Sequence, residues 1–185
     1  MWPPDYLISE EEYLVREPEA EYRSEFLEGR VTQLTGASRK HSALVTNLVV
    51  TLHQALPASC AIHIADMRVK VEAARFYTYP DLAIVCGPER FCDETQTTLT
   101  NPDILIEVLS PSTEAYDRGD KFAYYKKLPS LREYLLVAQE RTLIEHWRRS
   151  DGVWSRTLLT APGDVLQLHL GAPMSVLAVY RNVLP

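Results

Sequence analysis

The sequence predicts an α/β or α+β protein, a mixed β-sheet flanked by helices, and three observations carry that expectation. Between residues 38 and 56 the apolar side chains Leu44, Val45, Leu48, Val49, Leu52 and Leu56 recur at three- and four-residue spacing, which puts one helix face into a core. Residues 112–128, opened by Ser110-Pro111-Ser112 and stopped before Pro129, read as a second such helix. Short apolar segments at 79–86, 103–109, 131–138, 143–149 and 153–159 have the length and composition of strands. With 185 residues, 46% of them hydrophobic, the chain can bury a core, and one domain over 1–185 is expected. Within it the reading separates an N-terminal helix and hairpin (5–35), a core (36–140) and C-terminal strands (141–185).

Each element has a local cause. Ser9 followed by Glu12 forms a capping box for a short helix through Arg16 that Pro18 ends. Glu28-Gly29 suits the turn of a hairpin over residues 25–31, with Phe26 and Val31 facing inward. Pro57 closes the long helix, and His41, three residues before Leu44, shares its inward face near the helix start. Residues 61–71 alternate with strand period, with an irregularity near Asp66. The polar interval 89–100 is expected to be a mobile exposed loop, and Ser150-Asp151-Gly152 a hairpin turn.

Composition excludes several classes. No apolar run approaches the roughly 20 residues that span a bilayer, and Met1-Trp2-Pro3-Pro4-Asp5 lacks a leader's basic and apolar regions, so no membrane partner and a cytoplasmic location are expected. Cys60, Cys86 and Cys92 show no metal-binding spacing and suggest no disulfide framework; Cys60 and Cys86 read as small core residues. A net charge of −6 argues against a generally basic nucleic-acid coat. A local patch of Arg39, Lys40, Arg68, Lys70 and Arg75 stays open beside the simpler reading of scattered surface charges, as does base stacking by Tyr77, Tyr79, Tyr124 and Tyr125 beside simple packing.

The chemistry concentrates in two acid-bearing strands. Strand alternation puts Asp103, Leu105, Glu107 and Leu109 on one face, so Glu107 projects among leucines and needs a partner. Asp81 stands at the entrance of Leu82-Ala83-Ile84-Val85, where Pro80 fits better than in mid-strand. If the two strands are neighbours, two carboxylates converge, and an oxygen-only pair favours Mg2+ or Mn2+ over zinc. Such an ion polarises a phosphodiester, and a nearby Lys121 would add fixed positive charge at the reacting phosphorus. An Asp117–Lys121 surface pair on the helix is the plainer reading of that lysine.

Pro80-Asp81, Glu107-Val108-Leu109-Ser110-Pro111-Ser112-Thr113, Asp117, Lys121, Tyr125 and Glu133-Tyr134 together resemble the Uma-type putative restriction endonuclease family of the PD-(D/E)XK nuclease superfamily. The resemblance reaches upstream through residues 10–14, 24–29 and His41, and is most specific from Glu107 to Lys121. It implies a restriction-endonuclease-like fold and a magnesium-dependent DNA nuclease site in which Asp81 and Glu107 match the motif acids. The motif lysine would fall two residues after Glu107, where this chain has Leu109; Lys121, delivered by the following helix, is the expected substitute. Glu25 would add a further acid, as in relatives whose N-terminal region contributes a carboxylate, although a surface acid of the hairpin is the simpler reading. His41 reads either as a catalytic residue or as a helix-start histidine.

The resulting expectation is a Mg-dependent endonuclease acting on DNA, with catalytic candidates Asp81, Glu107, Lys121, His41 and Glu25, and Asp81 and Glu107 as metal ligands. The alternative is a nuclease-fold binding module with weak or no catalysis. A carboxylate-pair hydrolase working without metal, such as a glycosidase, is a third. Cutting both strands of a duplex from one small site suggests a homodimer.

Overall fold

The computed structural model describes residues 7–34 and 36–184; Met1-Trp2-Pro3-Pro4-Asp5 lies outside the described residues, as do the limits at 5, 35 and 185 used above. The Ser9 hydroxyl accepts from the Glu12 amide and starts α1 (Glu10–Arg16), and one 3-10 turn over Glu17–Glu19 follows at Pro18. β1 (Ser24–Leu27) and β2 (Arg30–Gln33) form the expected hairpin. Both of its turn residues, Glu28 and Gly29, have positive φ, as a two-residue turn matched to strand twist requires. α2 (Arg39–Ala55) is capped by the Ser38 hydroxyl and buries Leu44, Leu48 and Leu52.

Four expectations are corrected along the middle of the chain. The single strand over 61–71 is two strands, β3 (Cys60–Ile64) and β4 (Arg68–Val71), which a turn closed by the Met67 amide on the Ile64 carbonyl sends into different sheets. The strand at 79–86 begins only at Leu82: β5 (Phe76–Thr78) and β6 (Leu82–Cys86) also lie in different sheets, and Tyr79-Pro80-Asp81 makes the crossing. The interval 89–100 is tied down rather than free. Asp93 accepts from the Thr97 amide and the Thr95 hydroxyl, and β7 (Thr98–Leu99) pairs in parallel with β4. Cys60 and Cys86 are directly opposite in the β3–β6 ladder and form a disulfide, not two free core thiols; a 26-residue separation gave no sign of that register.

After β8 (Ile104–Leu109) the expected helix over 112–128 is two short ones, α3 (Glu114–Arg118) and α4 (Asp120–Tyr125), divided at Gly119. The Gly119 amide donates to both Ala115 and Tyr116 carbonyls, and a Cβ there would lie 3.0 Å from the Ala115 oxygen. β9 (Glu133–Ala138), β10 (Ile144–Ser150) and β11 (Val153–Leu159) follow as expected, and β12 (Val165–Gln167), β13 (Pro173–Ser175) and α5 (Val176–Val179) complete the described chain.

The main sheet is mixed, ordered β11-β10-β9-β8-β6-β3, with β8 and β9 parallel and the other neighbours antiparallel. One face, with Ile104, Ile106, Leu135 and Val137, packs on α2 and on Met174, Val176 and Val179 of the C-terminal segment. The other face, with Leu105, Leu109, Tyr134 and Leu136, packs on Phe122 and Tyr125 of α4 and on Val69, Val71 and Phe76 of a second sheet, ordered β2-β1-β5-β4-β7. α1 covers the far side of that second sheet through Tyr13, Phe26 and Tyr77. This is the α+β arrangement of mixed sheets and flanking helices that the sequence predicts. No described helix is long and apolar enough to cross a membrane.

Candidate active site

The site forms where the two sheets meet. The β6–β8 ladder pairs Leu82 with Ile106, and carried one residue further the register sets Asp81 opposite Glu107. Pro80 has no amide to donate, which suits this crossing between sheets. The Asp81 carboxylate is fixed at both oxygens: Oδ2 accepts from the Val108 amide at 2.7 Å and Oδ1 lies 3.0 Å from His41 Nε2. His41 reaches it because the Ser38 cap starts α2 one turn before the core-facing leucines.

Glu107 shares its strand face with Leu105 and Leu109 and is 4% exposed. Its Oε1 accepts from Tyr125 Oη at 2.7 Å and lies 2.9 Å from Lys121 Nζ. Leu109, which stands where the resemblance implies the motif lysine, is buried in the apolar cluster between the sheets, and the ammonium beside Glu107 comes from α4. Lys121 is also 3.0 Å from Glu25 Oε1 and 3.7 Å from Asp117 Oδ1. Phe26 turns toward α1, so its neighbour Glu25 turns inward; it is a buried acid and not a surface one, accepting from Thr78 Oγ1 at 2.5 Å and Tyr116 Oη at 3.0 Å. The Asp117–Lys121 pair is likewise buried, contrary to the surface reading.

Burial pushes the Glu107 carboxyl up to about 8 against the pull of Lys121, and the carboxylates of Asp117 and Asp81 add to the rise. Burial also raises Asp117. For Lys121, burial alone would favour the neutral amine, but Glu107, Tyr125, Glu25 and Asp117 outweigh it and hold the lysine well above its ordinary value. The two directions for Glu107 and Lys121 disagree if read as one ion pair. They agree once the acids are taken together: one ammonium faces three carboxyl groups, so the amine stays charged and the surplus acid keeps its proton.

Four carboxyl groups, from Glu25, Asp81, Glu107 and Asp117, thus face one lysine and one histidine. Among the described residues there is no group of three or more His, Cys, Asp or Glu side chains that could hold a metal ion. Magnesium keeps several waters and needs only one or two protein carboxylates, so an oxygen-only pair such as Asp81 and Glu107 is compatible with it in donor chemistry. His41, Asp81, Glu107, Asp117 and Lys121 line a cleft of about 490 Å³, together with Ser110-Pro111-Ser112-Thr113, Gly36-Ala37-Ser38, Tyr22 and Arg23.

All five candidates, Glu25, His41, Asp81, Glu107 and Lys121, come together here. Other expectations do not. Tyr77, Tyr79 and Tyr125 are buried, and Tyr124 is half-buried against Phe76, so they form no exposed stacking set. The basic patch dissolves: Arg68 is buried against Thr98, Tyr13 and Tyr77, Lys70 pairs with Glu10 and Glu72, Lys40 with Glu140, and Arg75 with Glu10. Asp66 pairs with Arg23. Sequence reasoning missed Tyr116, the donor to Glu25, and Gln139, whose Nε2 donates to the Leu109 carbonyl while its Oε1 accepts from Ser38. No spacing signal could have shown a bond across 101 residues.

Mixed sheets flanked by helices, with a buried acid–lysine cluster where the sheets meet, define an α+β protein. The chain belongs to the Uma2 family, described as "Putative restriction endonuclease", whose model matches residues 10–179. It is similar to two proteins of Synechocystis sp. (strain ATCC 27184 / PCC 6803 / Kazusa), each described as an uncharacterized protein. sll1609 is 35% identical over 155 residues, 83% of this chain and 88% of that protein. slr1290 is 34% identical over 180 residues, 95% and 93%. In fold it matches a crystal structure described as "a putative nuclease belonging to DUF820" from Anabaena variabilis ATCC 29413, with a TM-score of 0.75 and 18% identity over 91% of this chain and 96% of that one.

Proposed function

We propose that this protein is an endonuclease that hydrolyses DNA phosphodiester bonds with the help of Mg2+ or Mn2+, with Asp81 and Glu107 as the residues that would hold the ion. Family membership supports the nuclease reading, and the fold is compatible with it. The observation that carries it is the Lys121 ammonium 2.9 Å from the Glu107 carboxyl group, inside a cluster with more acids than bases. When bound, the ion would supply charge to the phosphodiester oxygens and a more acidic water. Asp81, which lines the cleft, is held in place by His41 and the Val108 amide, which limits the reorganisation it would need to take up an ion. Lys121 stands ready to stabilise charge developing on the phosphorus or to orient the attacking water, the part an on-strand lysine plays elsewhere in the superfamily. His41 orients Asp81, and Glu25 with Tyr116 holds Lys121 from the opposite side.

One observation favours a second reading, a nuclease-fold module that binds DNA without cutting it: Leu109 occupies the usual lysine position. A carboxylate pair working without an ion has less support, since both acids are already tied to basic partners. Incubating plasmid and single-stranded DNA with magnesium and the wild type, Lys121→Ala or the volume-preserving Lys121→Met separates the first two. Cleavage by the wild type that falls at least about a hundredfold in both variants is expected. DNA binding with no cleavage by any of the three would establish the binding module, and equal cleavage would remove Lys121 from the mechanism.

A further inference from the structure

The four tyrosines that suggested base stacking from sequence are packed away, but a fifth is not. Tyr22 lines the catalytic cleft and is 54% exposed. The chain that follows it is anchored: the Arg23 carbonyl accepts from the Leu34 amide at 2.9 Å, and the Ser24 amide donates to Glu17 Oε1 at 2.7 Å. Tyr22 is therefore carried at the cleft edge on a fixed backbone, with about half of its surface open to solvent.

Arg23 sits beside it. Its guanidinium lies 5.6 Å from the centroid of the Tyr79 ring and 3.6 Å from Asp66, and its side chain is 40% exposed. The other charged residues lining the cleft are mainly acids, and Lys121 is enclosed by Glu25, Glu107 and Asp117. Among the described lining residues, Arg23 is thus the strong cation open to an incoming anion. An exposed ring next to an available guanidinium matches the two parts of one nucleotide, a base face and a phosphate.

We infer that Tyr22 and Arg23 form a nucleotide subsite beside the reacting phosphodiester, with Tyr22 stacking on an unpaired base and Arg23 contacting the flanking phosphate. The inference rests on the nuclease reading and deepens it by naming the substrate form. Inside a duplex both faces of every base are covered by neighbours, so a ring fixed on the protein surface can stack only on a base that has left the helix or was never paired. The bound strand is therefore single-stranded at this nucleotide.

The test is fluorescence anisotropy with a labelled oligothymidylate and a labelled duplex of equal length, in calcium with magnesium withheld, for the wild type, Tyr22→Ala and Tyr22→Phe. Tyr22→Ala is expected to weaken single-strand binding about tenfold, within the range for losing one stacked base. Tyr22→Phe, which keeps the ring and loses the hydroxyl, is expected to bind as the wild type does, and duplex binding is expected to change little. Unchanged single-strand binding in Tyr22→Ala, or equal losses on both DNAs, would overturn the subsite. Cleavage in magnesium by the same wild-type protein is read separately. A protein that binds through Tyr22 and never cuts refutes the nuclease reading alone, whereas one that cuts with Tyr22 irrelevant to binding refutes the subsite alone.

Discussion

Glu107 is kept protonated by burial and by the acids around it, and this sets a stability profile for the ion-free protein. Its carboxyl titrates near 8 in the fold against about 4.5 when unfolded. Between those values the folded state binds more protons than the unfolded one, so stability falls as pH rises from about 4.5 to 8. The shift corresponds to at most about 5 kcal/mol. Urea denaturation across that range should show the decline in the wild type and lose most of it in Glu107→Gln, which carries no titrating proton. Binding of a divalent cation at neutral pH should release about one proton, visible as a dependence of the calorimetric enthalpy on the buffer's own ionisation heat. A flat stability profile, or a binding heat independent of buffer, would count against a protonated Glu107.

At the scale of elements, the break at Gly119 separates α3 from α4, and Asp117 and Lys121, one on each helix, are both buried in the site. A Cβ at Gly119 would sit tightly against the Ala115 carbonyl, which would have to shift by a few tenths of an ångström. Gly119→Ala is expected to cost about 1 kcal/mol or more of stability and to lower cleavage further than that loss of folded protein accounts for, measured by denaturation alongside a nuclease assay. Glu133 has a different task at the far end of β9, on the opposite face of the sheet. It is fully buried and accepts from His146, from Arg148, and from both the backbone and the ring of His169. Burial alone would raise it, but these donors prevail and hold it well below the ordinary carboxylate range. The stability it contributes is present above about pH 4.5 and is lost as pH falls below that. Glu133→Ala should destabilise the fold by about 3–5 kcal/mol at neutral pH, as breaking a buried pair does.

Periodicity made the helices and most strands legible because each reports burial on one face of its own element. The same signal is blind to partition between sheets. Residues 61–71 alternate as one strand, yet Ile64 and Arg68 lie in different sheets, because the turn at 65–67 depends on tertiary space and not on the pattern. Glu107 was legible as an acid among leucines, and the substitution of Lys121 for the missing lysine followed from helix order. Glu25, by contrast, reads like any hairpin acid. Only the packing of Phe26 against α1 shows that Glu25 must face inward.

For the whole molecule, the net charge of −6 and the acid surplus of the cleft lead us to expect that DNA binding, on the proposed function, strengthens when divalent cations are present. One small cleft serves one strand at a time, so cutting both strands of a duplex is usually done by two copies, and we propose a two-fold homodimer. Sedimentation equilibrium should give about twice the chain mass of 21.1 kDa, and a strict monomer that still linearises plasmid in one encounter would contradict that assembly. The claim on which the account turns is that Asp81 and Glu107 hold a divalent cation. The direct measurement is calorimetric titration of magnesium or manganese into the wild type, Asp81→Asn and Glu107→Gln. Saturable binding to the wild type, lost in each variant, is the expected result; binding left unchanged by either substitution would contradict it.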